Sequence, residues 1–121
     1  MVILGIDPGY AIVGYGCIDY RGGAYRVLGY GAITTPAGQP FPARLQTIYR
    51  DMDFLMKKYS PQVMSIEELF FTNNQKTGIA VAQARGVILL SAMENEVEVA
   101  EYTPLQVKQS VVGYGRAEKK Q

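Results

Sequence analysis

"VILGIDPGYAIVGYGCIDYRGGAYRVLGYGAIT", residues 2–34, consists of three apolar runs separated by two turn signals. Val2–Asp7 is short, apolar and closed by Pro8-Gly9, which suits a buried strand better than a helix. A second run, about Ile12–Tyr20, leads into "YRGGAY", where Gly22-Gly23 marks a hairpin turn before a third run at about Tyr25–Thr34. Strands linked this closely are expected to be antiparallel neighbours.

Beyond this ribbon the period changes. "PAGQPFP" (36–42) breaks the strand pattern, and Leu45, Ile48, Met52, Leu55, Met56 and Tyr59 then recur at steps of three and four. That spacing predicts one amphipathic helix over about Ala43–Tyr59. "SPQ" ends it, and "VMSIEE" is another apolar run finishing in acids. After the polar loop "FFTNNQKTG" comes a long helix rich in small residues, about Thr77–Asn95. "VEVAEY" (97–102) alternates as a strand does, and "TPLQ" supplies a helix start, with Thr103 as cap, Pro104 in the first turn and Gln106 at the capping-box position. This last helix is expected to stop near Gly113. The order βββαβαβα predicts an α/β fold in which a mixed sheet carries helices on its faces. With no repeat, linker or low-complexity segment, residues 1–121 read as a single domain.

Composition narrows the chemistry. The 121 residues are 48% hydrophobic and 19% charged, and no apolar run approaches the ~20 residues of a membrane span. "MVILGID" has no basic stretch or small-residue cleavage site, so it reads as the first strand, and a cytoplasmic location is expected. One cysteine, Cys17, can form neither an internal disulfide nor a thiolate zinc cage, and is expected to be buried in its strand. Histidine is absent, which removes the usual general base and imidazole metal ligands. Carboxylates, lysines or a bound metal must therefore do any chemistry. The net charge of +1 is unevenly spread: residues 1–107 hold 8 basic and 10 acidic groups, whereas residues 108–121 hold Lys108, Arg116, Lys119 and Lys120 against Glu118.

Two strands share one design. "VILGID" ends in Asp7 and "VMSIE" in Glu67, and open sheets with parallel strands bind ligands at the carboxyl ends of those strands. If the two strands are neighbours, both carboxylates meet at one edge. An oxygen-only donor set suits Mg²⁺, which binds through one or two carboxylates plus substrate phosphates. Two such ions can clamp the attacking and leaving oxygens of a phosphodiester. Either acid is also explicable as a turn residue, and Gly9, Gly14 and Gly16 as turn and bulge glycines, or as places where backbone comes close to a phosphate.

Four segments together, "LGIDPGYAIVGYG", "SIEELFF", "QARGV" and "VKQSVVGYGRAEKKQ", resemble the RuvC-type Holliday-junction resolvases in order and spacing across essentially the whole chain. The resemblance implies a ribonuclease-H-like fold, a homodimer, and paired Mg²⁺- or Mn²⁺-dependent nicks in opposite strands of a four-way DNA junction during recombination and repair, alongside branch-migration machinery. It makes Asp7 and Glu67 the first two metal-binding, catalytic carboxylates, with strand alternation turning Glu68 away. It assigns Phe70, with Phe71 beside it, to contact with unstacked bases. Lys108 and Lys119 match positions associated with the scissile phosphate and DNA backbone. Arg85 is expected to hold structure through a salt bridge. The small residues Gly78, Ala82 and Gly86 resemble the family's dimer interface, and packing within the chain explains them nearly as well. The family completes its site with two further acids on a C-terminal helix beyond the match to Gln121. Residues 1–121 are accordingly expected to be a C-terminally truncated fragment that holds the fold and half the metal ligands, and to cleave poorly or not at all. Two rivals share parts of the pattern: a ribonuclease-H-like RNA-processing nuclease of the YqgF type, and a nucleotide-binding module of the actin and sugar-kinase type.

Overall fold

A computed structural model of the protein describes residues 1–68 and 75–102. Five strands and two helices follow one another as β1 (Val2–Asp7), β2 (Ile12–Arg21), β3 (Ala24–Thr34), α1 (Phe41–Tyr59), β4 (Val63–Glu67), α2 (Gln75–Glu94) and β5 (Glu98–Tyr102). The helix expected over about 103–113 lies outside the described residues.

The first three strands form the expected antiparallel ribbon. Gly22 and Gly23 form its two-residue loop, and both have positive φ, 57° and 82°, the backbone that a right-twisted hairpin requires and glycine supplies without strain. A bulge lies farther along, where Cys17 pairs with Gly29 and Ile18 with Val27, so that Leu28 has no partner across the ladder. On its other edge β1 pairs parallel with β4, and β4 with β5, giving the sheet order β3-β2-β1-β4-β5.

Alternation along the strands divides the sheet into two faces. Leu4 and Ile6 of β1, Val13 and Cys17 of β2, and Met64 and Ile66 of β4 are buried on one face against Ile48 and Met52 of α1 and Ala84 and Ile88 of α2. Cys17 is fully buried as expected. Burial, with the charge of Asp19, raises its thiol pKa and leaves it an inert core residue.

Both helices begin two residues earlier than the periodicity predicts. In α1 the reason is local: Pro42 falls in the first turn, where a missing N–H costs nothing, so the proline-rich segment starts the helix. The helix stops at Ser60, whose left-handed backbone (φ 44°) lets its N–H donate to the Met56 carbonyl, with Pro61 next. The C-terminal end of α2 is stitched to the middle of α1. Tyr49 Oη donates to Glu94 Oε2 (3.0 Å), and Asn95 Nδ2 donates to Asp53 Oδ1 (2.9 Å). Hydrogen bonds from Lys57 and Asn95 hold the Asp53 carboxyl below its ordinary value of 3.8.

Met52 is fully buried, so Met52→Ala is expected to cost about 2–5 kcal/mol, read as a lower urea midpoint with unchanged slope. Because the Asp53 pKa is lowered on folding, its bonds contribute stability above the unfolded carboxylate value and lose it as pH falls through the folded one. Thermal midpoints should therefore fall as the pH is lowered through the carboxylate range, and Asp53→Asn should flatten that dependence.

Candidate active site

The parallel pairing of β1 with β4 runs through Ile3↔Val63, Leu4↔Met64, Gly5↔Ser65 and Ile6↔Ile66. Asp7 and Glu67 are the next residues on their two strands. Since Ile6 and Ile66 enter the core, alternation sends Asp7 and Glu67 to the opposite face, at the carboxyl edge of the sheet. The structure thus brings together the two acids singled out from sequence. Asp7 is exposed and Glu67 half-buried.

A third group joins them from β5. Tyr102 is the register partner of Glu67 and shares its face. Burial, and after it the negative charges of Glu67 and Asp7, raise the Tyr102 phenol pKa, so the hydroxyl stays protonated beside two carboxylates. On the other side Gly14 lies opposite Asp7, and a Cβ built on Gly16 would meet nothing within 4 Å. The surface beside Asp7 is therefore bare backbone.

The turn carrying Asp7 is held from two directions. A Cβ on Gly9 would lie 2.2 Å from the Ile12 carbonyl oxygen, so no side chain fits there. From the helix side, Thr35 Oγ1 donates to the Tyr10 carbonyl (2.7 Å) and the Thr35 N–H to that of Ala11 (3.0 Å). Arg44 in turn donates through Nε to Thr35 Oγ1 (2.8 Å) and through its terminal nitrogen to the Thr35 carbonyl (3.2 Å), with its guanidinium 5.1 Å from the Tyr10 ring centroid. Sequence reading misses this clamp, because Arg44 and Thr35 carry no local pattern that sets them apart from surface polar residues.

Arg85 anchors the neighbouring strand end, in line with its expected role. Its Nε donates to the Glu67 carbonyl (3.2 Å), and its terminal nitrogen pairs with Glu101 Oε2 (2.6 Å). Glu68, just past β4 and exposed, donates its N–H to the Tyr102 carbonyl (2.7 Å).

Among the described residues, no hydrogen bond or ion pair reaches the side-chain carboxylates of Asp7 and Glu67. Two uncompensated carboxylates on one face form an all-oxygen donor set that a hard divalent cation satisfies. Among the described residues no third acid, histidine or cysteine gathers with them. Phe70, Phe71, Lys108 and Lys119 lie outside the described residues. Gly9→Ala is expected to cost about 1–3 kcal/mol by forcing the Asp7 turn apart, measured by chemical denaturation.

Comparison with known proteins agrees with this geometry. The family model described as "Crossover junction endodeoxyribonuclease RuvC" matches residues 3–121. The RuvC protein of Alkaliphilus oremlandii is 59% identical over 121 residues, which cover 100% of this chain and 74% of that protein. Among solved structures, Thermus thermophilus RuvC in complex with Holliday junction substrate superposes with a TM-score of 0.90 at 32% identity, covering 99% of this chain and 73% of that one. The yeast mitochondrial Holliday junction resolvase Ydc2, at 14% identity and a TM-score of 0.66 over 92% of this chain and 57% of that one, shares the fold. The mixed five-stranded sheet is thus ribonuclease-H-like, as expected. On the match over 3–121 and 59% identity along its whole length, the chain belongs to the RuvC family of crossover junction endodeoxyribonucleases.

Proposed function

We propose that this protein is a structure-specific endonuclease that recognises four-way (Holliday) DNA junctions and nicks opposite strands in a metal-dependent reaction, in homologous recombination and DNA repair. The observation that carries the reading is the meeting of Asp7 and Glu67 at the ends of adjacent parallel strands in a chain matching the RuvC family over 3–121. The same match favours a junction resolvase over an RNA-processing nuclease or a nucleotide-binding module.

In this reading Asp7 and Glu67 hold Mg²⁺, or Mn²⁺ in its place. When bound, the ion supplies Lewis-acid charge at the scissile phosphate and an activated water. The chain's own contribution is placement. The Gly9 turn and the Arg44–Thr35 clamp fix Asp7, the β1–β4 register fixes Glu67, and the bare backbone at Gly14 and Gly16 leaves room for a bulky strand to approach. Phe70 and Phe71, three and four residues after Glu67, stack on bases unpaired at the crossover, and Lys108 and Lys119 neutralise backbone phosphates. Residues 1–121 form one nuclease domain with Asp7 and Glu67 among its metal ligands.

A homodimer is supported by α2. Ile79, Leu90 and Met93 are 55%, 51% and 68% exposed and lie on one side of this helix around the exposed Gly86. A soluble monomer gains nothing by showing such a stripe to water. We place the protein in the cytoplasm. Among the described residues no helix is long and apolar enough to cross a membrane.

Three measurements test the reading. In a gel shift with Ca²⁺, a four-way junction is expected to bind at least about tenfold tighter than linear duplex of the same sequence, a difference of about 1.4 kcal/mol; equal affinities would count against a resolvase. Asp7→Asn is expected to preserve folding and junction binding while removing any Mg²⁺- or Mn²⁺-dependent nicking. Leu90→Glu is expected to convert a dimer into a monomer in sedimentation equilibrium, and a mass unchanged by it would exclude α2 as the interface.

A further inference from the structure

We infer that Tyr102 is a positioning residue of this site, its phenol serving as the neutral donor that orients the Glu67 carboxylate for a divalent cation. The inference rests on the reading of Asp7 and Glu67 as metal ligands, and it concerns a residue that the motif pattern leaves out.

The placement of Tyr102 follows from pairing. β4 and β5 run parallel with Glu67 opposite Tyr102, and neighbouring strands lie about 4.8 Å apart. Side chains of register partners leave the same face, so the phenol stands next to the Glu67 side chain at the carboxyl edge. The backbone holds it there: the Glu68 N–H donates to the Tyr102 carbonyl at 2.7 Å, and Arg85 ties the Glu67 carbonyl to Glu101, the residue before Tyr102. Neither strand end can slip past the other without breaking these bonds.

Chemistry then gives the phenol its task. Among the described residues the Tyr102 hydroxyl has no hydrogen-bond partner, although a half-buried tyrosine usually finds one. Its ring is half-buried. A carboxylate that gives one oxygen to a metal commonly has the other held by a hydrogen bond, and loss of such an outer partner weakens metal affinity about 10–100-fold. An arginine or lysine in this place would hold the carboxylate equally well but would repel the cation. A phenol orients the oxygen without adding charge.

The test is Mn²⁺ binding followed by water-proton relaxation, with no DNA present. Tyr102→Phe keeps the ring and removes the donor. It is expected to leave the metal-free thermal midpoint unchanged and to weaken Mn²⁺ binding about tenfold or more. In parallel, a fluorotyrosine placed at position 102 is expected to shift its fluorine resonance on Mg²⁺ addition, and to show no shift in Glu67→Gln. This second readout decides the matter should Tyr102→Phe lower the thermal midpoint. Mn²⁺ binding lost in Asp7→Asn but unchanged in Tyr102→Phe would overturn the positioning role while leaving the metal reading in place, as would a fluorine resonance indifferent to Mg²⁺. No Mn²⁺ binding by the unsubstituted chain would overturn both.

Discussion

β1 is paired on both sides, antiparallel to β2 and parallel to β4, and the rest of the structure depends on that double pairing. A strand six residues long offers one carboxyl end, and its two partners deliver different things there. The antiparallel side brings Gly14 opposite Asp7, which clears the surface. The parallel side brings Glu67 to the same edge. Were β4 shifted by one residue along β1, alternation would turn its acid into the core and Ile66 out to solvent. The register is protected against that slip, because Met64 and Ile66 are fully buried against the same helices that cover Leu4 and Ile6.

The polar groups around the edge divide by charge. Cations grip the backbone: Arg44 reaches the turn after Asp7 through Thr35, and Arg85 takes the carbonyl of Glu67. Neither neutralises the side-chain carboxylates of the site. The side chain that the sheet register sets beside Glu67, the phenol of Tyr102, is uncharged. The fold thus stiffens the strand ends with positive charge while leaving the acids themselves uncompensated.

Much of this was legible locally. The three hairpin strands appear as apolar runs cut by Pro-Gly and Gly-Gly, and α1 as a single stripe of steps of three and four, because each signal is complete within about twenty residues. Asp7 and Glu67 stood out because strand ends are local features too. What stayed hidden depends on contacts across long stretches of chain. Tyr102 comes beside Glu67 only through a register with a strand 35 residues earlier. Thr35 looks like a loop hydroxyl until α1 folds back and Arg44 reaches it. The start of α1 was misplaced for a different reason: Pro42 reads as a breaker, yet in a first turn it is tolerated. The roles of Phe70, Phe71, Lys108 and Lys119 rest on family resemblance, since no pattern of charge or spacing reveals what a loop side chain touches.

The guanidinium of Arg85 makes α2 and the acidic edge a single mechanical unit. The helix whose outer side carries Ile79, Leu90 and Met93 is bonded, through one side chain on its inner side, to the last carbonyl of β4 and to Glu101 of β5. A tilt of α2 stretches both bonds at once, so whatever leans on that helix is felt at the backbone beneath Glu67. Two such chains meeting along α2 would have their acidic edges set at a fixed separation by rigid geometry, with no flexible joint between the contact and the chemistry, which is the requirement for cutting two strands at matched positions.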